Sequence, residues 1–141
     1  MSYNIRVSDC IFCKIIAGEV PAQKIWEDDK YLAFLDQYPL CEGQTLVTTK
    51  EHQPSYVFAL ADEVVSGIYL AAKKVARLLD GKLGTERCVQ AMEGLGVDHL
   101  HIKLYPLTQE LKEGGIVHMG PKADEAKLNE IANKIREGGV K

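Results

Sequence analysis

His99, His101 and Lys103 occupy every second position of VDHLHIKLYP, residues 97–106, interleaved with Leu100, Ile102 and Leu104. The chain has four histidines in all, so placing two of them two residues apart is a chemically pointed choice. Alternation of apolar and polar residues is the pattern of a half-buried β-strand. It predicts that both imidazoles and the ammonium share one face, turned away from the face that the aliphatic side chains bury. A neutral imidazole, with an ordinary pKa of about 6.5, serves near neutral pH as a nucleophile or as a metal ligand.

A second set of reactive side chains lies far from this stretch. Cys10 and Cys13 form a C-x-x-C in SDCIFCKIIAG, 38 residues separate Cys13 from His52, and another 46 separate His52 from His99. Two thiols and two imidazoles are the donors of a four-coordinate zinc site, but this spacing is much looser than that of a compact zinc finger. A redox pair would open a helix after a strand, and nothing strand-like precedes Cys10. Two small buried hydrophobes are the remaining reading. Cys41 and Cys88 read as ordinary thiols.

Several elements must bring these residues together. Cys10–Ala17 suits a short helix closed by Gly18. Strand-like runs follow at Lys24–Glu27, Tyr31–Asp36 and Thr45–Thr49, with turns at Asp28-Asp29 and Pro39–Gly43. A long helix is predicted from Asp62, as its cap, to Leu79, with Val64, Ile68, Ala71, Val75 and Leu78 on one face and Gly81 as its end. Strands at Thr85–Met92 and Val97–Tyr105 come next, and an amphipathic helix over Asp124–Arg136 should bury Leu128, Ile131, Ala132 and Ile135. Three strands, a helix and two strands lack βαβ alternation, so the expected class is α+β: one antiparallel five-stranded sheet, a long central helix and a C-terminal helix. At 141 residues the chain reads as a single domain spanning 1–141, with the motifs in 10–106 and a loop and helix in 107–141.

Composition narrows the function classes. The chain is 46% hydrophobic and 26% charged, with a net charge of −3, which argues against a binder of polymeric nucleic acid that works through bulk charge. No apolar run approaches the ~20 residues of a membrane span, and MSYNIRVSDC lacks the features of a secretory signal. A cytoplasmic setting, with its thiols reduced, is expected.

Taken together, three segments resemble the histidine triad (HIT) family of nucleotide hydrolases and transferases. CIFCKIIAGEVPAQKIWEDDKYLAFLD is similar to the family's N-terminal stretch, GQTLVTTKEH to its strand followed by Lys-x-His, and GVDHLHIKLYP to the triad signature. They come in the family's order and spacing. The resemblance implies that His101, as the middle histidine, attacks the α-phosphorus and forms a nucleotidyl-histidine. It implies that Asp36 holds ribose hydroxyls and that Ile11, Phe12, Ile15 and Phe34 line a nucleobase pocket. It also implies a branch, common in bacteria, in which Cys10, Cys13, His52 and His99 bind a structural zinc. A homodimer acting on a purine nucleoside phosphoramidate or dinucleoside polyphosphate is the corresponding expectation.

The chain departs from the pattern on the side that holds phosphate. The third triad position is Lys103, giving His-x-His-x-Lys. Leu95 stands where a glutamine is usual, Gly96 where a small polar residue is usual, and no asparagine lies between Asn4 and Asn129. Lys103 is expected to act beside His101 as an electrostatic partner for phosphate, the alternative being a solvated charge on a decayed triad. Two further functions stay open: a nucleotide-binding protein with weakened or absent catalysis, and a zinc-stabilised interaction module. His118, in GGIVHMGPK, reads as a loop histidine on the surface unless its loop reaches the site. Trp26 and Tyr105 read as core or interface aromatics.

Overall fold

The computed structural model describes residues 9–112 and 115–137. In chain order they form α1 (Ile11–Ile16), β1 (Lys24–Glu27), β2 (Tyr31–Leu35), β3 (Thr45–Thr49), a 3-10 turn at Val57–Ala59, α2 (Asp62–Leu83), β4 (Cys88–Ala91), β5 (His101–Pro106), α3 (Gln109–Lys112) and α4 (Glu125–Glu137). The strands make one sheet in the order β1-β2-β3-β5-β4, with every neighbouring pair antiparallel. The expected α+β class and five-stranded antiparallel sheet are therefore present. No helix among the described residues is long and apolar enough to cross a membrane.

One face of the sheet is covered by α2. Ile68, Ala71, Ala72, Val75 and Leu79 recur at helical spacing and are buried against Ala33, Val47, Leu100, Ile102 and Leu104. The helix is one turn longer than expected. Gly81 is helical, and the chain leaves α2 at Gly84, whose φ of 68° gives a left-handed cap donating to the Asp80 carbonyl. Ala61 holds the N-cap position, and Asp62 is the first helical residue, where its charge favours the positive end of the helix.

The other face is covered around His99 and His101 and open at the cavity beside Lys103, which corrects the half-buried reading of residues 97–106. The short helix α1 lies over it, with Phe12, Ile15, Leu32, Phe34 and Leu46 in a second apolar cluster. His99 and His101 are both buried. An alternating pattern marks which side chains share a face, but not whether a later-docking element covers that face. The strand itself begins only at His101, so His99 belongs to the connection leading into it. β4 is likewise shorter than Thr85–Met92.

The C-terminal helix forms, but none of its residues is buried. Leu128 and Ile135 are 57% and 70% exposed, and Ile131 is exposed as well. Its amphipathic pattern was read correctly as helix and wrongly as packing within the chain, because both faces of the sheet are taken by α1 and α2.

Candidate functional site: a thiol–imidazole cluster beside a cleft

Pairing across the sheet fixes the geometry of the α1 face. Leu32 pairs with Thr48 and Thr48 with His101, while in the next row Phe34 pairs with Leu46, Leu46 with Lys103 and Lys103 with Ala91. Tyr105 pairs with Val89 one row further on. His101, Lys103 and Tyr105 thus step along one face of β5 at two-residue intervals.

At the start of that face lie the four sulfur and nitrogen donors. One ligand atom from each of Cys10, Cys13, His52 and His99 lies within 4.8 Å of all the others. Cys10 Sγ is 3.3 Å and Cys13 Sγ 3.6 Å from His99 Nδ1, and Cys13 Sγ is 3.3 Å from His52 Nδ1. A tetrahedral ion with ordinary zinc–sulfur and zinc–nitrogen bonds holds adjacent sulfur and nitrogen ligands about 3.5 Å apart, so the cluster fits a metal of that kind.

The tautomer of His99 agrees. Its Nε2 lies 2.7 Å from the Thr49 carbonyl and must carry the proton to donate there, which leaves Nδ1 with a lone pair facing the sulfurs. Burial pushes His99 down to about 4, so the ring is neutral at physiological pH. Burial, with Cys10 alongside, raises the Cys13 thiol to about 11.

The four donors come from three places in the fold: α1 supplies both cysteines, the loop after β3 supplies His52 and the connection into β5 supplies His99. Cys10 caps α1, its sulfur accepting from Cys13 N–H. His52 sits in the loop after β3, tied to the entry of β5 by Leu100 N–H donating to the Gln53 carbonyl at 2.9 Å. Ser55 donates to Asp98 Oδ1 through its backbone N–H at 2.9 Å and its hydroxyl at 2.8 Å. Those two donors hold the Asp98 carboxyl below the usual carboxylate range. None of the residues in this Ser55–Asp98 lock stood out in the sequence, because isolated Ser and Asp residues in a loop carry no spacing signal.

His101 is fixed by a parallel device. Its Nδ1 lies 2.6 Å from the His99 carbonyl, so Nδ1 is the protonated nitrogen and Nε2 keeps the lone pair. Phe12 packs edge-on to the ring with centroids 4.9 Å apart. Burial lowers the imidazole below its ordinary value, and the Lys103 ammonium pushes the same way.

His101 opens onto a cavity of about 470 Å³. Ile11, Phe12, Ile15, Phe34, Asp36 and Lys103 all line it, so the structure brings together the expected pocket, ribose and catalytic positions. Leu95 and Gly96 line it too, as do residues that were not singled out for it, among them Gln44 and Tyr105. Gln44 shares the β3 face of Leu46 and Thr48 at a spacing of two, which was the available signal. His118 is exposed and lies outside this lining.

Comparison with known proteins agrees with this arrangement. The HIT domain matches residues 17–110. The chain is 37% identical over 103 residues to protein hit of Bacillus subtilis, covering 70% of each chain. It is 31% identical over 142 residues to an adenosine 5'-monophosphoramidase of Candida albicans, covering 92% of this chain and 91% of that one. A zinc-bound histidine triad family protein from Mycobacterium smegmatis superposes with a TM-score of 0.69 at 25% identity, over 92% of this chain and 99% of that one. With its matching sheet, buried histidine pair and domain match over most of its length, the chain belongs to the HIT family.

Proposed function

We propose that the chain is a nucleotide hydrolase or nucleotidyl transferase that uses His101 as its nucleophile. The observation that carries this reading is the hydrogen bond from His101 Nδ1 to the His99 carbonyl, because it leaves the Nε2 lone pair as the reactive one on the cavity side. In the first step Nε2 attacks the α-phosphorus of a bound purine nucleotide. The bond from phosphorus to the leaving group breaks, and that group departs with the electron pair and takes a proton from water. In the second step water attacks the same phosphorus, the P–N bond breaks, and His101 and a nucleoside monophosphate are released with one proton. Splitting the transfer this way replaces one difficult displacement by two easier ones.

The other lining residues divide the binding. Ile11, Phe12, Ile15 and Phe34 provide apolar surface for the base, and Asp36 accepts from ribose hydroxyls. Lys103, in the row next to His101, neutralises phosphate charge as it builds up. The relative from Candida albicans, an adenosine 5'-monophosphoramidase, supports a phosphoramidate among the substrates.

Zinc is the ion that suits two thiols and two imidazoles at these distances. It would be structural, cross-linking the start of α1, the loop after β3 and the entry to β5. Thiols rather than disulfides at Cys41 and Cys88 suit a reducing compartment such as the cytoplasm. The exposed apolar stripe of α4 supports a second copy of the chain as its cover.

The absence of side-chain donors at Leu95 and Gly96 favours a second reading, a nucleotide-binding protein without turnover. Incubating the purified chain with adenosine 5'-phosphoramidate and following AMP release separates the two. Release by the wild type that is lost in His101→Ala supports catalysis. Binding of AMP with no release by the wild type leaves the binding protein.

A further inference from the structure

Tyr105 reads from the sequence as a core or interface aromatic, and the fold gives it a second surface. The residue is 7% exposed and packs with Cys41 and Leu111 in an apolar cluster, yet it also lines the cavity that His101 opens onto. Among the described residues no group hydrogen-bonds its hydroxyl. Nor is that oxygen sealed in the interior, since among the same residues the buried side-chain polar atom left unpaired is Thr108 Oγ1. The phenol is therefore held by its ring and open at its tip. A tyrosine buried this deeply ordinarily pairs its hydroxyl, and the cavity is the side from which a partner can come.

The register of the sheet sets what reaches that tip. Thr45 pairs with both Leu35 and Leu104, so one step further along the strands Gln44 stands between Asp36 and Tyr105. Asp36 N–H donates to the Gln44 carbonyl at 3.0 Å, which carries the β2–β3 ladder through that step. All three residues line the cavity, in the row beyond Lys103. Neighbouring strands lie about 4.8 Å apart, so the two ends of this row are about 10 Å apart at the backbone. The long tyrosine side chain spans much of that distance, and a group bound to Asp36 fills the rest.

Charge around the hydroxyl narrows its role. Burial, with Glu93, Asp36 and Cys41 nearby, pushes the phenol above its ordinary value, so it stays protonated and donates. Two carboxylates also repel an anion at this point. A neutral ligand hydroxyl suits it: after giving its proton to Asp36, that oxygen keeps lone pairs for a phenol to fill. We infer that Tyr105 is a sugar-recognition residue, donating from Oη to the 2'- or 3'-oxygen of the ribose that Asp36 holds. This rests on the nucleotide reading given above and deepens it, by adding the donor that complements an acceptor-only carboxylate.

Tyr105→Phe removes the oxygen and keeps the ring. Titration calorimetry with AMP, 2'-deoxy-AMP and 3'-deoxy-AMP then reads the contact without requiring turnover. AMP should bind the variant about fivefold more weakly than the wild type, as loss of one hydrogen bond implies. For at least one deoxynucleotide the two proteins should agree to within about twofold, because the oxygen that Tyr105 bonds is already gone. The ligand-free variant should unfold at the wild-type temperature, since the lost hydroxyl has no partner in the protein. Unchanged affinity for AMP would overturn the inference. So would an equal loss for all three nucleotides, or a variant that folds poorly, either of which would make Tyr105 part of the cavity wall and not a reader of the sugar. Failure of AMP to bind the wild type would instead refute the nucleotide reading, and the inference with it.

Discussion

Gln44 holds Asp36 in place: its side-chain nitrogen donates to Asp36 Oδ2 at 2.7 Å, while its side-chain oxygen accepts from Leu40 N–H. The other carboxylate oxygen of Asp36 accepts from Tyr38 N–H at 2.9 Å. Gln44 is itself buried, so both ends of its amide are committed and the carboxylate is aimed before any ligand arrives. If Asp36 anchors ribose, Gln44→Ala should weaken AMP binding by about tenfold, the cost of losing one hydrogen bond to a charged group. Affinity for the 2',3'-dideoxy analogue should change much less. An equal loss for both nucleotides would mean that Gln44 supports the fold and does not aim the carboxylate.

Lys103 separates an altered triad from a decayed one. If its ammonium stabilises charge on a reacting phosphate, Lys103→Ala should lower kcat about 10²–10³-fold with little change in AMP affinity. Lys103→His should keep activity. A silent Lys103→Ala in an enzyme with good turnover would remove this residue from the chemistry.

The loop that carries His52 depends on a glycine at position 94. Gly94 has a φ of +69°, and a Cβ there would lie 2.5 Å from Ser55 Cβ, in the residue that bonds Asp98 and the Gly94 carbonyl. Gly94→Ala should cost about 1–3 kcal/mol of stability. Ser55→Ala should cost about 1–2 kcal/mol by leaving Asp98 short of its donors. Denaturant titration checks both, and metal analysis of each variant should find less zinc than in the wild type.

Cys88 should be an inert thiol. Burial and the nearby Asp80 carboxylate push it up to about 12, so at pH 9 it remains protonated in the native state while an unfolded cysteine is largely ionised. The folded form then holds a proton that the unfolded form has released, and this group's contribution to stability falls as pH rises from about 9 toward 12. Iodoacetamide labelling followed by peptide mass spectrometry should find Cys88 unmodified at pH 9 until denaturant is added. Rapid labelling of the native chain at that pH would contradict the buried environment.

Much of this was legible in the sequence because local patterns and local structure coincide. β1 and β3 fall where their β-branched and apolar runs lie, and α2 follows its three- and four-residue spacing past Gly81, since one glycine within a strong apolar stripe does not stop a helix. The set Cys10, Cys13, His52 and His99 was one open reading from residue types and became the favoured one through resemblance, because residues that far apart in sequence are brought together by the fold, including the register of β3 with β5. What stayed hidden depends on layers. Burial of His99 and His101 under α1, exposure of α4, and the part played by Gln44 follow from which faces cover each other, and periodicity carries no record of that.

The covalent intermediate on His101 is the most direct test of the proposed chemistry. Wild-type protein mixed with adenosine 5'-phosphoramidate and quenched rapidly at alkaline pH, where a phosphorus–nitrogen bond survives, should show one added adenylyl group by intact mass, mapped by peptide fragmentation to His101. The adduct should be absent from His101→Ala. AMP release by the wild type with no adduct at any quench time, or an adduct that persists in His101→Ala, would contradict His101 as the nucleophile.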